Sequence, residues 1–178
     1  IAGSISHQVA WQHIDGQVKK QIDIPVSNEE LTFAFEEMRR LFEENEVDFL
    51  LLEMMSIPSR TAPLYDCVAD STLPVWCGLS AKRQNYKSKI TSFHDERVIF
   101  EDNVKTAALY DFDVMGIMHT SVDLISDCIS IIKKFHKGPL MAYPDSGYFQ
   151  APNWQFVDII TPTDLFNFAE IWRTEGVN

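Results

Sequence analysis

Short apolar runs alternate with amphipathic stretches along the whole chain, and this alternation restricts the fold more than any other feature. Val47-Asp48-Phe49-Leu50-Leu51-Leu52-Glu53 is nearly all apolar and ends in a carboxylate. A strand covered on both faces has that composition. Before it stands Ser27-Asn28-Glu29-Glu30, a capping box: Ser27 accepts from a backbone N–H three residues on, and Glu30 reaches back. Leu31, Phe35, Met38, Leu41 and Phe42 follow at helical spacing, with carboxylates on the other face.

The pattern recurs down the chain. Strands are expected near residues 1–5, 47–53, 73–79, 112–118 and 139–143. After the helix that carries Leu31 to Phe42, helices are expected over Thr61–Asp70, Glu101–Tyr110, Leu124–His136 and Thr163–Trp172. Leu124, Cys128, Ile131, Ile132 and Phe135 share one side of the fourth, and Gly138-Pro139 stops it. Strands alternating with helices of this length form βαβ units and a parallel sheet. The expected fold class is therefore α/β, with five strands each followed by a helix. No linker divides the chain, so residues 1–178 read as a single domain.

Composition narrows the function classes. A chain of 178 residues with 46% hydrophobic and 23% charged side chains is globular and long enough to bury a core. Its formal charge of -11 repels a phosphate backbone, which argues against nucleic acid as a partner. The basic run Lys82 to Lys89 reads as a solvated loop. Cys67, Cys77 and Cys128 have neither metal spacing nor the numbers for a disulfide framework, which suits a reducing, cytoplasmic setting. Cys67 and Cys128 fall on apolar helix faces and Cys77 in a strand, so all three read as packing residues. No apolar run reaches the roughly 18 residues of a membrane span, and the first residues lack the marks of a signal peptide. A chain that begins at Ile1 without Met reads as starting within a longer protein or as trimmed.

Two stretches break the rhythm. Ser80 to Asn103 is long for a strand-to-helix connection, and Ser146 to Pro162 is long and carries Tyr148, Phe149, Trp154 and Phe156. Loops after the carboxyl ends of parallel strands are where such folds place their sites, although these two can also be packing insertions. There is no phosphate-binding glycine loop, no HExxH and no GxSxG. What remains is a set of polar residues at strand ends: Glu53, Ser80, His119 with Thr120, and Tyr143 with Asp145. In a parallel barrel these ends converge on one mouth.

The order and wording of the segments resemble the homocysteine S-methyltransferase family. Ile1-Ala2-Gly3-Ser4-Ile5 is similar to its apolar-Gly-Ser strand, and Val47 to Met54 to its strand ending in Glu-Thr. Leu73-Pro74-Val75-Trp76 and Phe112-Asp113-Val114-Met115-Gly116-Ile117 resemble its next strands, the second of which leads into an Asn-Cys pair. Pro139-Leu140-Met141-Ala142-Tyr143-Pro144-Asp145-Ser146-Gly147 is close to its Tyr-Pro-Asn-Ser-Gly segment. Trp154 and Trp172 fall where the family often carries tryptophans.

That resemblance implies a (β/α)8 TIM-type barrel, here incomplete, running from the third strand to just before the eighth. Five units leave two open sheet edges, to be covered by further segments, a partner or a second copy. The implied chemistry is transfer of a methyl group from a donor to the homocysteine thiol, giving methionine, with both partners small molecules. The implied cofactor is zinc, held by one cysteine after the sixth strand and a cysteine pair after the eighth. Here the Asn-Cys positions read Met118-His119, and the cysteine pair is not in the chain. Imidazole is a legitimate zinc ligand, so His119 is the candidate metal residue, with Glu53 and Asp145 as possible oxygen ligands beside it. His94 and His136 read as lying in a loop and at a helix end, outside the mouth, and the expectation is that this chain alone holds no zinc tightly.

Three residues are expected to bind substrate. Glu53 stands where the family's carboxylate holds the homocysteine amino group. Tyr143 and Asp145 line the same mouth, or else build the turn around Pro144-Asp145-Ser146-Gly147; Asp145 replaces the family's usual Asn. A competing reading is a degenerate, metal-free relative that binds or regulates. A different barrel enzyme, a lyase or aldolase, would want a strand-end lysine, and no expected strand ends in one.

Overall fold

A computed structural model describes the chain except for Asp15 and residues 151–154. In order, the described elements are β1 (Ala2–Ser6), the hairpin β2 (His13–Ile14) and β3 (Gln17–Val18), α1 (Asn28–Glu44), β4 (Phe49–Met55), α2 (Pro58–Val68) and β5 (Val75–Leu79). Then come β6 (Ala81–Lys82), β7 (Thr91–Ser92), α3 (Phe100–Ala107), β8 (Val114–Ser121), α4 (Ile125–Phe135), β9 (Leu140–Asp145), β10 (Tyr148–Gln150), β11 (Gln155–Val157) and α5 (Pro162–Thr174).

Five of these strands form one sheet in the order β1-β4-β5-β8-β9. Every neighbouring pair is parallel, as the strand–helix alternation requires. A sixth position begins beyond β9: Val177 bridges Leu140 in parallel, and the Asn178 amide donates to the Leu140 carbonyl at 3.1 Å. The sheet is thus five units of a (β/α)8-type barrel, open on the side where the ring would close. The short hairpins β2–β3, β6–β7 and β10–β11 are antiparallel and sit in the connections after β1, β5 and β9.

Side chains alternate across the sheet. Leu50 and Leu52, Val75 and Cys77, and Met115 and Ile117 join a core with Leu31 and Phe35 of α1, Leu64 and Tyr65 of α2, Val104 of α3 and Ile132 of α4. The opposite, barrel-inner face carries Phe49, Leu51 and Glu53 on β4, with Trp76 beside them on β5. Phe49 and Trp76 stack with centroids 4.2 Å apart.

The helix ends follow local chemistry. Ser27 Oγ accepts from the Glu30 amide at 3.1 Å, and Glu30 Oε2 accepts from the Ser27 amide at 2.9 Å, so the capping box closes. Leu41 departs from the expected buried stripe: it is exposed, while Leu31 and Phe35 are buried and Met38 and Phe42 partly so. Helix α2 begins at Pro58, three residues before the expected start, because proline at the first helical position lacks an N–H that would be unpaired there anyway. The same rule moves the start of α5 to Pro162, with Thr161 as its cap accepting from the Asp164 amide at 3.1 Å. Of the loop aromatics singled out in the sequence, Trp154 and the side chains of Tyr148, Phe149 and Phe156 lie outside the described residues.

Candidate functional site

Glu53, His119, Tyr143 and Asp145 all occupy the carboxyl halves of β4, β8 and β9, so one end of the sheet carries them. Two of these strands are irregular just there. The β4–β5 register shifts between Leu52 and Met55, and the β8–β9 register shifts between Met118 and Ser121. At the irregularities Met54 and His119 have φ of 57° and 44°, a left-handed conformation that is costly for side chains with a Cβ. The two bulges touch: the Met54 amide donates to Met118 Sδ at 3.2 Å. Bulges re-aim side chains at the ends of strands, and here they turn the residues beside Glu53 and Tyr143.

His119 and Asp145 meet. His119 Nδ1 lies 3.2 Å from Asp145 Oδ1, with the imidazole about one-third exposed and the carboxylate 21% exposed. A carboxylate only accepts, so Nδ1 carries a proton. The hydrogen bond to Asp145, and then the charges of Asp145 and Glu53, raise the His119 pKa above its ordinary value against the opposing effect of burial. Tyr143 stands edge-on to His119 with centroids 5.5 Å apart and is largely exposed. The other strand-end polar residues do structural work. Ser80 Oγ donates to the Met118 carbonyl at 2.8 Å, and Thr120 Oγ1 accepts from the Ala81 amide at 3.0 Å, both buried.

A second polar cluster at the same end escaped the sequence reading. His7, just after β1, is fully buried, and its Nε2 accepts from the amides of Ser56 and Ile57 at 3.2 and 3.0 Å, just ahead of α2. Ser56 Oγ is 2.7 Å from His94 Nδ1. His94 therefore sits in its loop as expected but, against expectation, reaches back to the strand ends. Burial, then the neighbouring charges, lower the His7 pKa to about 3 and that of His94 to about 4. Beside them Arg60 is buried on neutral acceptors, Gln21 Oε1 at 2.9 Å and the Gln21 and Ile24 carbonyls at 2.6 and 2.8 Å. The only sequence signal for this cluster was a polar residue directly following an apolar strand. His136 lies at the end of α4, facing the Pro139 carbonyl.

The donor set does not fit a zinc ion. Among the described residues no three His, Cys, Asp or Glu groups converge to hold a metal. His119, Glu53 and Asp145 thus do not converge into the mixed site considered from sequence. The cysteines are elsewhere. Cys77 and Cys128 are buried under the helices, where burial pushes the Cys77 thiol up to about 12 and the Cys128 thiol well above its usual range. Cys67 is only partly buried, packed at the edge of the core rather than within it. The basic run is partly paired: Lys82 with Glu96 at 2.7 Å and Arg83 with Asp127 at 2.6 Å. No helix among the described residues is long and apolar enough to cross a membrane.

Known proteins share this architecture. The crystal structure of the homocysteine methyltransferase MmuM from Escherichia coli, in its metallated form, superposes with a TM-score of 0.61 at 18% identity over 89% of this chain. The match takes in 48% of that protein, so this chain spans about half of its length. No protein of curated function matches the sequence. The profile of the homocysteine S-methyltransferase family matches residues 1–178, and the chain belongs to that family.

Proposed function

We propose that residues 1–178 act as one partial barrel domain that binds a homocysteine-type amino-acid thiol at the carboxyl ends of its strands. Methyl transfer from a small-molecule donor to that thiol, giving methionine, is the reaction such binding serves in a complete barrel. The observation that carries the reading is Glu53. It stands on the barrel-inner face of β4, near enough to His119 to influence its protonation, in a chain that matches the family throughout. In this reading its carboxylate takes the substrate ammonium, a charge-assisted hydrogen bond. Tyr143 and Asp145 wall the same mouth, and His119 faces the sulfur. Three unpaired thiols suit a reducing, cytoplasmic setting.

One observation favours a second reading, a metal-free relative that binds or regulates. The family's cysteine position is His119, and among the described residues no three His, Cys, Asp or Glu groups converge there to hold a metal. The experiment that separates the two is a calorimetric titration with homocysteine, paired with elemental analysis of the purified protein. Binding with about one zinc per chain, lost on His119→Ala, supports the enzyme. Binding without zinc supports the metal-free relative. No binding in either state refutes both.

A further inference from the structure

We propose that Arg60 is a positioning residue for the Glu53 site: from α2 it ties down the loop that follows β1, and that loop holds the strained end of β4 on which Glu53 stands. The inference rests on the amino-acid-binding reading above and adds to it a buried residue set back from the mouth.

Arg60 is only 4% exposed, and its guanidinium serves neutral groups. Nη1 donates to Gln21 Oε1 at 2.9 Å, and Nη2 donates to the Gln21 and Ile24 carbonyls at 2.6 and 2.8 Å. Among the described residues no carboxylate pairs with it. A buried cation without a counter-charge is costly. What it supplies is a rigid fork of donors in fixed directions, which a lysine cannot reproduce. The tie runs on to the site in short steps. Gln21 clasps Val9 both ways: Nε2 donates to the Val9 carbonyl at 2.8 Å, and Oε1 accepts from the Val9 amide at 3.3 Å. Gln8 Nε2 donates to Met54 Sδ at 3.3 Å, and His7 Nε2 accepts from the Ser56 and Ile57 amides. Ser6, just before them, is the strand partner of Glu53. Residues 6–9 thus follow the end of β4 from Glu53 to Ile57. That end is strained. Met54 has φ 57°, and left-handed backbone at a residue with a Cβ persists only where its surroundings hold it. Two further contacts hold it, the Met54 amide on Met118 Sδ and Asn103 Nδ2 on the Met55 carbonyl at 2.9 Å. Releasing the β1 loop removes the Gln8 and His7 contacts, lets the bulge relax and turns the neighbouring Glu53 carboxylate off its line to the ligand.

The test is a double-mutant cycle on the full chain, with homocysteine affinity read by calorimetry for Arg60→Lys, Glu53→Gln and the two combined. Arg60→Lys keeps the charge and gives up the fork. It should weaken homocysteine binding roughly tenfold with Glu53 in place, and by no more than about twofold once Glu53 is Gln. An arginine that only supports the fold would weaken both backgrounds alike. Amide hydrogen exchange gives a second readout that needs no ligand. Arg60→Lys should speed exchange at residues 7–9 and 54–57 while the β5–β8 ladder keeps its protection. Gln8→Ala cuts the same tie at its other end, at a partly buried residue, and serves if Arg60→Lys does not fold. It should show the same dependence on Glu53. Parent-like affinity in the folded variant, an equal loss in both backgrounds, or unchanged exchange at residues 54–57 overturns the positioning role and leaves amino-acid binding standing. Failure of the parent protein to bind homocysteine refutes the binding reading and the positioning role together.

Discussion

His119 Nδ1 donates to Asp145 Oδ1 across 3.2 Å, joining the carboxyl end of β8 to that of β9. The contact exists because β8 is irregular there. The register shifts after Met118, and His119 adopts φ 44°, so the ring turns toward β9 instead of continuing the alternation of the strand. Regular pleating would send residue 119 to the helix side, next to Ile117 and the core. The strained backbone is the local cost of aiming an imidazole at the mouth, and strain of this kind gathers at functional positions.

Glu53 gives the most direct test of the binding reading. Removing a carboxylate that holds an ammonium costs a charged hydrogen bond. Glu53→Ala should weaken binding of an amino-acid ligand by about 1.5–3 kcal/mol. Isothermal titration of homocysteine into parent and variant measures it. Unchanged affinity would return Glu53 to a structural role at the end of β4.

Gly116 tests the sheet itself. A Cβ at this position in β8 would lie 2.0 Å from the Met141 carbonyl oxygen, a backbone atom of the neighbouring strand. The strands must separate to admit it, so Gly116→Ala should destabilise the fold by roughly 3 kcal/mol, the upper range for overpacking. Gly78→Ala is different, since its Cβ would meet the flexible Met118 side chain, with Sδ at 2.5 Å. That variant should cost less stability, and it should disturb the mouth by displacing the sulfur that accepts from the Met54 amide. Urea melts of the two variants rank the effects; equal losses would show that β8 and β9 are not held as tightly as the geometry implies.

The sheet was legible because apolar runs such as Leu50-Leu51-Leu52 are buried on the helix side, at Leu50 and Leu52, and partly covered on the other, at Leu51, which leaves a composition that no helix face shares. Element ends were less legible. Pro58 and Pro162 start helices that periodicity alone began later, since a proline carries no apolar signal of its own. Leu41 shows the converse, a hydrophobic residue at nearly the right spacing that the turn of α1 leaves in solvent. Glu53, His119, Tyr143 and Asp145 were found because strand order alone delivers them to one rim. The His7–Ser56–His94 cluster was not, because it joins residues 49 and 38 positions apart through loops whose return path is written in no local pattern.

That cluster makes stability sensitive to acid. His7 accepts from two backbone amides through Nε2, so it must stay neutral, and His94 is neutral beside Lys82 and Arg60. Their folded pKa values are about 3 and about 4, below the ordinary histidine value of roughly 6.5 expected in the unfolded chain. Between those limits the unfolded chain binds more protons than the folded one, so stability falls as pH falls. From pH 7 to pH 5 each histidine should remove about 2 kcal/mol. His119 acts in the opposite sense. Its raised value makes its contribution complete below the unfolded pKa and lost as pH rises through the folded one. Stability should therefore peak near neutrality and drop on the acid side, measured by urea melts at pH 5, 6, 7 and 8. His94→Gln keeps a hydrogen-bonding group near Ser56 without the titration and should flatten the acid limb by about half. A profile that is level from pH 7 to pH 5, or one that His94→Gln leaves unchanged, would show that these buried rings do not set the acid limit of the fold.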